Sequence, residues 1–92
     1  MEERAMASGL GEAVRQVLLH VWDPIGVRGV PQAQDEYDGY VGPVLRAVVD
    51  GAGVDEVRVL LDRLAVRDMG LAAGSGDPVG AAELLVGLTR GG

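Results

Sequence analysis

Asp23, Asp35, Glu36 and Asp38 lie within the segment that holds the chain's only Trp and both its Tyr residues, and they are the side chains best placed to do chemistry. Hard cations such as Mg²⁺ or Ca²⁺ take oxygen ligands, which several acids close in sequence can supply. Neighbouring acids on a helix point about 100° apart, however, and the spacing is not that of a calcium loop. The competing reading is structural: carboxylates at a helix N-terminus complement the helix dipole, and Asp before Pro opens a turn. That reading is preferred, and no metal or cofactor is assigned. His20 is the single histidine, and there is no Cys. Ser8 lies in a frayed start and Ser75 in a Gly-rich stretch, so His20 lacks partners for a nucleophilic dyad or a zinc site. Its place near the end of the first helix suits an imidazolium facing the helix dipole. The glycines at 26, 29 and 70–76 precede no Gly-Lys-Ser/Thr and follow no strand, so they form no phosphate loop. No catalytic residue is assigned.

These residues must be held by helices. Leu10, Val14, Val17, Leu18, Val21 and Trp22 share one face at 3.6 residues per turn, which predicts a helix over about 7–21 after a frayed start at 1–8. Asp23-Pro24 stops it, because proline disfavours the α conformation in the residue before it. Asp23, Pro24 and Gly26 take favoured positions of a type I turn. Residues 23–33 form a long connection whose Ile25, Val27 and Val30 are expected to pack down on the core. Tyr37, Tyr40, Val41, Val44, Leu45 and Val48 define a second helix. Pro43 either kinks it near Gly39–Pro43 or sits in its first turn.

Asp50-Gly51-Ala52-Gly53 is a turn, after which Val54, Val57, Leu61, Leu64 and Ala65 mark a third helix ending near Met69, with Gly70 as left-handed cap and Leu71 packing back. Gly74-Ser75-Gly76 lies in a flexible joint at 72–76. Asp77 as N-cap and Pro78 as first helical residue start a short fourth helix, with Ala81, Leu84, Leu85 and Leu88 as its apolar face, fraying at Gly91-Gly92. The fold expected is all-α, one domain over 1–92, three core helices plus a short C-terminal one.

The run Trp22-Asp23-Pro24-Ile25-Gly26-Val27, then Pro31, then Asp35-Glu36-Tyr37-Asp38 with Tyr40, resembles the YugE-like family of small uncharacterised bacterial proteins. So do Gly51-Ala52 with Glu56, and Met69-Gly70-Leu71; the resemblance covers roughly residues 10–71. It implies a compact helical fold and brings no activity. The family pattern has a Ser after Gly-Ala, where this chain has Gly53, so half of the reciprocal cap with Glu56 is missing.

Composition narrows function. Fourteen acids against eight basic residues, all Arg, give a net charge of −6. Such a surface repels phosphate backbones and anionic lipid, so neither nucleic acid nor membrane is an expected partner. It fits solubility, or a basic protein partner. No apolar run reaches membrane-spanning length and the acidic start is no secretory signal, so a cytoplasmic location is expected. Leu19, Val59 and Val66 fall off their helices' apolar stripes. They are covered inside the fold, by the fourth helix or the long loop, or they are a surface for a protein partner or a second copy of the chain, or they are isolated exposed residues that need no explanation. The function expected is a non-enzymatic interaction module, with an immunity-like or antitoxin-like inhibitor as one concrete form. The alternative is a small metal-dependent enzyme or accessory protein using Asp23, Asp35, Glu36 and Asp38.

Overall fold

The computed structural model describes residues 2–27 and 29–90. Helix α1 spans Glu2–Val17 and runs on into one π-helical turn, Leu18–Trp22. A short 3₁₀ turn follows at Pro31–Ala33, then α2 at Asp38–Val49, α3 at Val54–Met69 and α4 at Pro78–Arg90. No strand occurs among the described residues. The fold is all-α, as the periodicities predict, and α1 begins earlier than expected. The fraying expected at Gly91-Gly92 lies outside the described residues.

The π turn changes which side chains face inward. Asp23 N–H donates to the Leu18 carbonyl at 2.9 Å, a bond reaching back five residues instead of four. The wider turn brings Leu18, Leu19 and Trp22 all into the core, each no more than 1% exposed. Leu19 is therefore not a surface residue, and its place among the interaction candidates is corrected. Its misfit to the stripe arose from assuming 3.6 residues per turn where the backbone is wound more loosely.

Helix α2 starts one residue later than expected. Tyr37 is its N-cap and is 1% exposed. Pro43 lies inside the helix, beyond its first turn. Pro43 cannot donate to the Gly39 carbonyl, but this side of the helix is exposed, so water can serve that group. Helix α3 ends as predicted: Gly70 adopts φ 69°, and the N–H groups of Gly70 and Leu71 both converge on the Ala65 carbonyl. At its start Gly53 N–H donates to Glu56 Oε1 at 3.0 Å, the one half of the cap that a glycine permits.

Helix α4 touches α1, the π turn, α2 and α3, and its contact with α3 is the most extensive in the fold. Asp77 caps it, accepting from Gly80 N–H at 3.0 Å through its side chain and from Ala81 N–H through its backbone. Its buried face keeps Ala81 and Leu85 as expected but is rotated from Leu84 and Leu88 toward Ala82 and Val86. Ala81, Ala82, Leu85 and Val86 face inward, whereas Leu84 and Leu88 are 51% and 37% exposed. Alanines at the seam, with Ala65 on α3, let the helices approach closely, and so the larger leucines are rotated outward. Of the described residues of the long connection, only some pack down. Val27 is half-buried against the core, while Ile25 and Val30 are exposed.

Candidate functional site

Trp22 sits at the end of the π turn with its ring fully buried, 5.6 Å from Tyr37 in a tilted arrangement and 6.4 Å from Tyr40 in an edge-to-face one. Its backbone carbonyl accepts from Asp77 N–H at 3.1 Å, which fastens the start of α4 to the end of the first helical segment. Its indole N–H is buried with no acceptor in reach. The ring is thus held by packing alone.

Asp23 follows in a left-handed conformation, φ 33° and ψ 59°, the one described non-glycine residue with positive φ. Such a backbone costs an ordinary residue about 1–2 kcal/mol, and Asp is among the few side chains that tolerate it by bonding locally. The Asp23 carboxylate is buried, and Oδ1 accepts from the Tyr37 hydroxyl at 2.7 Å and from Val27 N–H at 2.8 Å. The Tyr37 oxygen accepts in turn from Ile25 N–H at 3.1 Å. The Asp23 carbonyl takes the Gly26 N–H, closing the expected turn. Trp22, Asp23, Pro24, Gly26, Tyr37 and Tyr40 therefore form one corner joining the π turn, the long loop and the start of α2.

Chemistry does not follow from this corner. Burial, aided by the Asp23 carboxylate it donates to, holds the Tyr37 phenol well above its ordinary pKa of 10.0. The hydroxyl stays protonated at neutral pH and supplies neither base nor nucleophile. Asp23 is engaged in holding the loop. Asp38 accepts from Arg15 Nε at 2.9 Å, and the same guanidinium donates to the Gln34 carbonyl at 3.1 Å and to Glu12 at 3.2 Å. Arg15 so pins α1 to the loop and to the first turn of α2, a role the sequence reading missed. Asp35 and Glu36 are exposed. Among the described residues no three His, Asp or Glu side chains gather closely enough to hold a metal ion. His20 is exposed at the edge of the π turn.

Tyr37→Phe tests the corner directly. The substitution removes a donor to a buried carboxylate and leaves Ile25 N–H unpaired, an expected loss of about 1.5–3 kcal/mol by urea unfolding. An alkaline signature should accompany it. A phenol whose pKa is raised on folding contributes stability that is fully present below the unfolded value near 10 and is lost as pH climbs above it. The wild-type urea midpoint should fall beyond pH 10, and the drop should be smaller in the Phe variant.

Two surface features remain. Gly42, Pro43 and Arg46 line an open depression on α2, sharing no residue with the corner. On the outer side of α3, Val59 and Val66 are 40% and 46% exposed. The fourth helix does not cover them, although it packs on α3; it meets the opposite side, where Val57, Leu61 and Ala65 are buried. Exposed Leu84 and Leu88 on α4 were missed because Leu at helical spacing reads as core. No helix among the described residues is long and apolar enough to cross a membrane. Comparison with protein-family models, curated proteins and solved structures returns no match.

Proposed function

We propose that this chain is a non-enzymatic protein–protein interaction module, cytosolic in setting, whose contact surface includes the outer face of α3. One observation carries the reading: after all four helices have packed, Val59 and Val66 remain 40% and 46% exposed one heptad apart. Heptad spacing places two side chains on one seam, the arrangement by which one helix receives another. The residues with chemical potential support the same reading by their engagement, since Asp23 and Tyr37 hold the loop and Asp38 holds Arg15. An inhibitor of the immunity or antitoxin kind is one concrete form. The motif-level resemblance to the YugE-like family fits, and brings no activity with it.

Val59→Asp and Val66→Asp, alone and together, test the assignment. Exposed positions away from caps and networks tolerate substitution within about 0.5 kcal/mol, so both variants should fold with wild-type urea midpoints. The double variant should fail to capture, from the native cell, the protein that the wild-type chain captures. Equal capture by a well-folded double variant overturns the assignment of this face.

A further inference from the structure

Arg63 and Arg67 stand beside Val59 and Val66 on the exposed side of α3. They differ from Arg15 and Arg58, which are in ion pairs. Arg15 is bonded to Asp38 and Glu12, and Arg58 is bonded to Asp55 and Asp62, both at 3.1 Å. Asp62 is further occupied by Gly74 N–H at 2.9 Å. Among the described residues, Arg63 and Arg67 have no carboxylate within ion-pair distance. They are also four residues apart, and like charges at that spacing disfavour a helix by about 0.2–0.5 kcal/mol. Of the two, Arg67 lies in the last turn, where a cation complements the helix dipole. Arg63 lies before that turn and gains nothing comparable. Folding thus leaves an apolar seam with Arg63 and Arg67, neither in an ion pair, on one side, and on the other Asp62, whose carboxylate is taken up by Arg58 and Gly74 N–H, on a chain whose net charge is −6.

We propose that the outer face of α3 receives an acidic amphipathic helix of a partner protein, its apolar side on Val59 and Val66 and its carboxylates on Arg63 and Arg67. The inference rests on the interaction-module reading and adds the chemistry of the partner. It reverses the expectation from bulk charge, because at physiological salt charges are screened beyond about 8 Å and the nearest groups decide. A second copy of the chain is the competing occupant. Pairing Val59 with its counterpart Val66 about a two-fold axis sets Arg63 opposite the second copy's Asp62, a carboxylate already held by Arg58 and by Gly74 N–H, so an acidic helix with free carboxylates is the better match.

The test uses the full ¹⁵N-labelled chain and two synthetic amphipathic helices with the same leucine stripe, one flanked by glutamates and one by lysines. The acidic peptide should shift the amide resonances of residues 59–67. Its affinity should fall about tenfold or more in the Arg63→Glu/Arg67→Glu variant, and that variant should gain affinity for the lysine peptide at the same residues. Occupation of this face in the wild type by the lysine peptide, or by a second copy in sedimentation at micromolar concentration, overturns the acidic-partner inference and leaves the module reading standing. Absence of any peptide response on α3 overturns the inference. If the Val59→Asp/Val66→Asp chain also captures its cellular partner normally, the module reading of this face fails with it.

Discussion

Trp22→Ala is expected to remove about 3–5 kcal/mol of stability, the range seen when a buried large aromatic is truncated. A domain of this size holds about 5–10 kcal/mol in all. The variant should therefore unfold at far lower urea or fail to accumulate. The effect is large because few other rings share the load: the chain has no Phe, and Trp22 packs on both tyrosines. Trp22→Phe separates packing from polarity. The indole N–H finds no acceptor, so its loss should cost nothing, and Phe should recover much of what Ala loses. Native fluorescence should be blue-shifted and move red on unfolding. An emission already at the water-exposed position would contradict burial of the ring.

Gly76→Ala is expected to be nearly as damaging, on the order of 2–4 kcal/mol. Gly76 has φ 74°, which disfavours any side chain. A Cβ there would also run into the Trp22 carbonyl oxygen and lie 3.0 Å from the Pro24 backbone. Both obstacles are main chain, at the point where Asp77 N–H bonds Trp22, so neither can move without loosening α4. Gly74→Ala is the control. Its φ of 88° carries the left-handed strain, but no atom lies within 4 Å of a new Cβ, so it should cost only about 1–2 kcal/mol. Equal losses in the two variants would show that the close approach at Gly76 carries no energy of its own.

Most of the helices were legible in the sequence because their signals are local. Asp77-Pro78, Gly70 after Met69, and the Val57–Leu61–Ala65 spacing each state a start, a stop or a face within one turn. The Trp22–Tyr37 contact was legible for another reason, since a chain with so few rings must bury them together. What was hidden depends on departures from ideal winding or on contacts distant in sequence. Leu19 looked outward because a π turn cannot be read from 3.6-residue spacing. Leu84 and Leu88 looked buried because spacing alone cannot tell that alanines hold the close seam with α3. Gly76 gave no sign that it faces the Trp22 carbonyl, which lies far away along the chain. At the candidate site, Asp23 in the turn and Asp38 in the first turn of α2 were readable from turn and dipole chemistry, whereas Asp35 and Glu36 lie exposed before the helix. The Asp23–Tyr37 bond and the pinning by Arg15 required the tertiary fold. The exposure of Val59 and Val66 was one of several outcomes that the spacing left open.

The central claim is that the Trp22–Tyr40 run holds the fold while the outer face of α3 meets the partner. The most direct test is a chemical-shift footprint of the captured partner protein on the full ¹⁵N-labelled chain. Shifts are expected to centre on Val59, Arg63, Val66 and Arg67, with the Asp23–Asp38 resonances unmoved. A footprint centred on Asp23–Asp38, or on Gly42–Arg46, with α3 unmoved would contradict it.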